Sequence, residues 1–298
     1  TSVATAGNVA ATFENAMDAA TINATTFTLQ QGSALVPGNV SYAGRTASFA
    51  ADDSLLPDTK FTARITTRVL DSAGNALARD AVWSFTTGAA PLQAPIALGQ
   101  AASFAVLAGA AITNTGPTSV MGDLGVSPSL AVVGFPPGTV SGSIHAGDGV
   151  ASQAQASLTT AYEEAAGRTA NAVAVSGNLG GLTLSPGLYH STSSLEISSG
   201  DLNLDAEGNP AAVFLFQAAS SFTMTSDRHV LLLNGAKASN VFWQVGSAAT
   251  VGTNATLVGT VLAAQSITLN TGSILDGRAM ARTGIVTMDT NTIAVPSP

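Results

Sequence analysis

The sequence predicts a mainly β protein in two parts: a β-sandwich over residues 1–88 and, past a linker at 89–95, a triangular β-solenoid with one long α-helix over 96–298. Three observations lead there. Short apolar/polar alternations broken by turn signals fill the first part. A threonine-bearing strand recurs at nearly constant spacing in the second. Charged side chains are scarce throughout.

In the first part, Thr26–Leu29, Ala47–Ala50, Phe61–Ile65 and Val82–Thr86 alternate apolar and polar residues, the period of a half-buried strand. Pro37-Gly38-Asn39, Leu56-Pro57-Asp58 and Asp71-Ser72-Ala73-Gly74-Asn75 read as turns between them. Short strands at that spacing predict a sandwich. Thr12–Asp18, Thr21–Phe27, the Asp71–Asn75 hairpin before Ala76-Leu77-Ala78, and the closing Trp83-Ser84-Phe85-Thr86-Thr87 resemble bacterial Ig-like domains, which occur in tandem on secreted and surface proteins. The Pro-containing opening of that family is absent, so the domain is expected to begin upstream of Thr1 or to follow another one. With no Met or leader at Thr1, a secretion signal is expected to have been removed.

Gly88-Ala89-Ala90-Pro91-Leu92-Gln93-Ala94-Pro95 has two prolines among small residues and no periodicity, as in a semi-extended linker. Composition narrows the function classes. Without cysteine there is no disulfide framework, thiolate metal site or thiol nucleophile. Charged residues are 9% of the chain, against about 25% in ordinary domains, yet mean hydropathy is only +0.34 because Ala, Thr, Ser, Gly and Asn take their place. A net charge of −8 with ten Lys and Arg argues against nucleic acid and anionic membranes as partners. The longest apolar runs, Phe104–Ile112 and Ala211–Ala219, fall far short of the roughly 20 residues that a membrane helix needs.

After the linker, Ala151–Gly167 has helical spacing, with Ala151, Ala154, Leu158, Ala161, Tyr162 and Ala165 on the inner face and Gly167 expected as the C′ stop. The rest reads as strands. Ala249-Thr250-Val251-Gly252-Thr253, Ile267-Thr268-Leu269-Asn270-Thr271 and Val286-Thr287-Met288-Asp289-Thr290 are versions of one strand, their threonines 18 (250 to 268) and 19 (268 to 287) residues apart. Phe222–Ser226 is an earlier copy and Leu195–Ser199 a degenerate one, each at an interval of 27 (196 to 223, 223 to 250). A short fixed period signals a solenoid. Eighteen residues make one triangular coil at about 3.3 Å per residue, and the longer intervals imply corner loops such as Asp205–Pro210 and Asn234–Ser239. Val241–Gln244, Thr260–Ala263 and Arg278–Ala281 are expected at equivalent places on another side.

Alternation assigns faces. Phe222, Met224, Val251, Ile267, Leu269, Val286 and Met288 are predicted inward; Thr223, Thr225, Thr250, Gly252, Thr268, Asn270, Thr287 and Asp289 outward, in columns at the strand spacing of about 4.8 Å.

Further stretches add a family resemblance: Ser103–Ala108, Ile112–Thr118, Gly122–Pro128, Ala161-Tyr162, Ala165–Thr169, Leu179–Leu184, Pro186–Tyr189, Val241–Gly246 and the Asp276-Gly277-Arg278 turn. In order and over nearly all of residues 96–296, they resemble the bacterial and fungal ice-binding proteins. The resemblance implies a right-handed discontinuous solenoid, its N-terminal segment laid against later coils and its helix along one side. It implies a secreted or cell-surface, monomeric, non-enzymatic protein without cofactor, whose partner is an ice crystal.

A rigid β face suits that partner, because it has little backbone entropy left to lose. Each threonine offers a methyl, a water-anchoring hydroxyl and a stiff χ1. The candidate ice-binding residues are Thr223, Thr225, Thr250, Thr268, Asn270 and Thr287, with Ser198 extending the column. Glu196 and Asp289 interrupt it. The rival surface is the next side, with Thr253, Thr256, Thr271, Ser273, Thr290 and Thr292.

Other chemistry is disfavoured. A polysaccharide-cleaving solenoid needs clustered carboxylates and a base, but Asp123, Asp148, Glu196, Asp201, Asp205, Asp276 and Asp289, with Arg278 and Arg282, read as scattered corner residues, Asp276 in a turn. His145, His190 and His229 show no metal spacing. Asp201–Gly208 outwardly resembles a calcium loop, yet its alternating leucines suit a strand entering a turn. No glycine lies in a phosphate-binding context. The alternative function is a glycan-binding adhesin, for which exposed aromatics such as Tyr189 or Trp243 would be needed.

Overall fold

The computed structural model describes residues 2–3, 8–52, 55–56, 59–88 and 93–297. The chain forms two compact units, Thr1–Ala90 and Pro91–Pro298.

In the first unit, Phe27–Gln31, Lys60–Ile65 and Ala81–Thr87 are antiparallel neighbours in a five-stranded sheet. Val9–Thr12, Thr46–Ala51 and Gly38–Ala43 form a three-stranded one. Alternation sends Phe27, Leu29, Phe61, Ala63 and Ile65 of the first sheet inward, and Val9, Ala47 and Phe49 of the second. The Phe27 ring sits 5.9 Å from both Phe49 and Trp83. The Asp71 turn forms as its carboxylate accepts the N–H groups of Ala73 and Asn75 at 2.9 and 2.8 Å. The turn expected at Pro37-Gly38-Asn39 is instead the start of a strand. Gly38 is there because a Cβ would lie 2.6 Å from the Phe49 ring, a close approach rather than a reversal. Of the Leu56-Pro57-Asp58 turn, residues 57–58 lie outside those described, as do residues 89–92 of the linker.

The second unit is a parallel coil. Its eight-stranded sheet runs, in spatial order, Val132–Val133, Ala111–Thr115, Ile285–Asp289, Ile267–Leu269, Ala249–Val251, Phe222–Met224, Leu195–Ile197 and Gly177–Asn178. A twelve-stranded sheet and a three-stranded one (Thr183–Leu184, Leu202–Asp205, Val230–Leu233) complete the sides. All seven predicted inward residues are at most 1% exposed. Between the sheets Tyr189, Phe216 and Trp243 stack with centroids 5.3 and 4.2 Å apart, and Trp243 Nε1 donates to Val258 O at 2.9 Å.

Two expectations need correction here. The sides at 241–245 and 256–263 pair Phe242, not Val241, with Thr260, a one-residue shift that moves each side chain to the other sheet face, both faces of Val241–Val245 being buried. The Asp276-Gly277-Arg278 turn is part of a continuous strand, Ile274–Ala281. That strand follows Thr256–Ala263 in register, Gly277 beside Gly259, and a Cβ on Gly277 would stand 1.8 Å from Gly259 O. Asp276 is therefore a strand residue.

The helix, α1 (Gly149–Gly167), buries the six predicted residues. Asp148 caps it, accepting the Ala151 N–H at 2.8 Å. Gly167 closes the helix from inside, and Arg168, not a left-handed glycine, is the cap. Arg168 Nε donates to Glu164 at 2.7 Å, its guanidinium also bonds Ala94 O, and Gln217 Nε2 donates to Ala165 O at 2.7 Å and Arg168 O at 2.9 Å. The Gln217 bonds satisfy carbonyls that a glycine turn would otherwise serve.

Candidate functional site

The outer face of the eight-stranded sheet brings the predicted threonines together. Ladder pairing places Thr223 beside Thr250, Thr250 beside Thr268 and Thr268 beside Thr287. Each flanks two inward apolar residues, so pleating turns all four hydroxyls and methyls outward. Sequence reasoning missed the continuation: Thr287 pairs with Thr113, and Thr113 with Val133. The missed signal is Ile112-Thr113-Asn114-Thr115, which has the alternation of Val286-Thr287-Met288-Asp289 but lies outside the repeat spacing. On the opposite side Thr223 pairs with Glu196. Thr223, Thr250 and Thr268 hydroxyls bond no protein atom among the described residues, leaving them to water.

The second column is less regular. Thr225 is half-buried and donates to Ile197 O at 3.2 Å. Gly252, expected outward, is buried against the chain at Ser226, where a Cβ would come within 2.4 Å of the amide nitrogen. Asn270 follows, and then Asp289, whose carboxylate accepts from Thr271 at 2.5 Å and Thr290 at 3.0 Å. Ser198 is half-buried and donates to Glu196 at 3.0 Å, so it extends this column rather than the first. The strip beyond the first column has the short side chains of Ser221, Ala248, Ser266 and Ala111, interrupted by Ile285.

The rival six residues do not form one surface. Thr253, Thr271 and Thr290 sit at corners, while Ser273 is 1% exposed and accepts from Asn291 inside the coil. Only Thr256 and Thr292 share an outward ladder, separated by the exposed Ile274. That side also carries the exposed Asp276, whose carboxyl is raised by partial desolvation. The first column, by contrast, presents threonine on four successive strands without interruption.

Tyr189 and Trp243, the aromatics a glycan-binding role would need outside, are at most 1% exposed. Among the described residues no His, Asp and Glu group could hold a metal. His145 bonds the helix-capping Asp148 at 2.7 Å and His190 bonds Gln217 at 2.9 Å, both supporting helix ends. Asp201 and Asp205 bond the His229 N–H and the Asn234 amide, which are corner contacts.

A parallel coil with a helix on one side and a small-residue threonine face on another defines a class. Residues 106–294 match the family described as ice-binding-like and residues 1–87 the bacterial Ig-like domain; the chain belongs to the ice-binding-like family. An ice-binding protein of Nostoc sp. (strain HG1) is 46% identical over 198 residues, covering 66% of this chain and 73% of that protein. One from Flavobacterium frigoris (strain PS1) is 35% identical, covering 67% and 76%. The crystal structure of an ice-binding protein from an Antarctic biological consortium matches with TM-score 0.69 at 53% identity, over 70% of this chain and 94% of that one.

Proposed function

We propose that this chain adsorbs to ice through the threonine column of the eight-stranded face and so inhibits ice growth and recrystallisation. The observation that carries the reading is the register of Thr223, Thr250, Thr268 and Thr287 on successive strands. Each ladder step is about 4.8 Å, and the backbone is already fixed. Waters held between the methyls and hydroxyls therefore form an ordered layer at small entropic cost, and bridging water is nearly as favourable as direct contact. Bound molecules pin the advancing ice front into curved segments, which lowers the temperature at which it advances. Relatives named as ice-binding proteins support the same reading.

The protein acts without catalysis or cofactor, as a secreted or cell-surface monomer, and the Ig-like domain serves as a spacer or connector. The test is the gap between melting and freezing in a nanolitre osmometer, for wild type, Thr250→Tyr and Thr268→Tyr. Loss of the gap in both variants, with the circular dichroism of the folded state retained, is the expected result. A gap that survives both places the site on another side; folded wild type without gap or crystal shaping overturns the function.

A further inference from the structure

The column has two ends that the repeat does not mark. At one end lies chain from the start of the solenoid domain. Thr113 faces outward beside Thr287, their hydroxyls 3.3 Å apart, and Val133 on the edge strand continues the row, 60% exposed. Valine has the branched outline of threonine with the hydroxyl replaced by a methyl, so the row keeps its shape and rigidity there.

The other end differs in kind. Glu196 occupies the column position beside Thr223. Its carboxylate is held by the Ser198 hydroxyl at 3.0 Å. It is longer than threonine and carries a full charge, whose hydration competes with an ice-like arrangement of water.

Resting on the assignment of this face to ice, we propose that the ice-contacting row extends from Thr223 through Thr113 to Val133, and that Glu196 ends it. Six branched side chains on successive strands then span about 24 Å from five ladder steps. Two of them come from the N-terminal segment, so docking that segment completes the binding surface as well as the fold.

The experiment measures the freezing gap of the full chain for Thr113→Tyr, Val133→Glu and Glu196→Thr. Thr250→Tyr serves as the reference within the face and Leu231→Tyr, on another side, as the control. Thermal unfolding is recorded for each. The expected result is loss of most of the gap in Thr113→Tyr and Val133→Glu, a wider gap in Glu196→Thr, and the wild-type gap in Leu231→Tyr. A gain in Glu196→Thr cannot come from misfolding, and Val133→Glu alters a side chain already in solvent, so the test stands if Thr113→Tyr unfolds. Wild-type gaps in the folded Thr113 and Val133 variants, with Thr250→Tyr inactive, overturn the extension while leaving the face intact. An unchanged gap in Glu196→Thr overturns the boundary. Full activity in Thr250→Tyr removes the face assignment and this proposal with it.

Discussion

Thr113 Oγ1 lies 3.3 Å from Thr287 Oγ1 although 174 residues separate them in the chain. The contact exists because Ala111–Thr115 is inserted between Ile285–Asp289 and Val132–Val133. Just upstream, Phe104–Ala108 pairs with both Asp123–Val126 and Ile274–Ala281. Arg278 fixes that segment, its Nε and Nη2 donating to Ala102 O at 3.0 and 2.9 Å from a position only 8% exposed. The first strands of the domain thus pair with the last, contacts of high sequence separation and high loop-closure cost.

Thr290 stores strain at the corner leaving the candidate face. Its φ is +55°, and the equivalent corners hold Asp227, Asn254 and Gly272 at +58°, +56° and +71°. Asn, Asp and Gly tolerate the left-handed region; a β-branched residue does not. Thr290→Asn is expected to raise stability by about 1 kcal/mol, or the melting temperature by about 2–4 °C, in a calorimetric scan. A lower melting temperature would show that the Thr290–Asp289 hydrogen bond outweighs the strain.

Gln217 holds the C-terminal end of α1 from inside the coil. It is 3% exposed, donates to Ala165 O and Arg168 O, and receives the His190 ring at 2.9 Å. Gln217→Leu keeps the volume but leaves these carbonyls without that donor, at an expected cost of about 1–3 kcal/mol. Amide exchange should accelerate most in the last turn of α1. Uniform acceleration through the helix, or none, would contradict the localised role.

Two carboxylates should respond to pH with opposite sign. The Ala151 N–H, then His145, hold Asp148 below the ordinary carboxylate range. Its contribution is present above that range and is lost as pH falls through the folded-state value. Partial desolvation raises Asp276, whose side chain remains exposed, so its charge weakly opposes folding at neutral pH and that small penalty lifts on acidification. Asp148→Ala should melt below wild type at neutral pH and converge with it in acid. Asp276→Asn should melt above wild type at neutral pH and lose that advantage in acid. Parallel shifts at all pH values would rule out the charge as the cause.

Short-range physics made much of this legible. Sidedness in Phe222-Thr223-Met224 and its copies follows from a period of two, and the buried face of α1 from a period of 3.6. The coil length follows from the 18- and 19-residue intervals. Among the described residues, the Ig-like strands were readable where turn chemistry bounds the alternation, as at Asp71–Asn75, but not at Pro37-Gly38-Asn39, where glycine answers to the Phe49 ring across the sheet. The candidate row was legible from Thr223 to Thr287 and no further.

By itself, then, the sequence determined which residues alternate, which recur and which cannot carry charge chemistry. The tertiary structure alone decided that Thr113 and Val133 join the row, that Thr260 faces Phe242, and that Asp276 lies in a strand rather than a turn. The physical reason is that pairing partners far apart in the chain leave no periodic trace. Their register depends on side-chain and backbone contacts such as Arg278 on Ala102 and Gly277 on Gly259, which exist only once the coils have stacked.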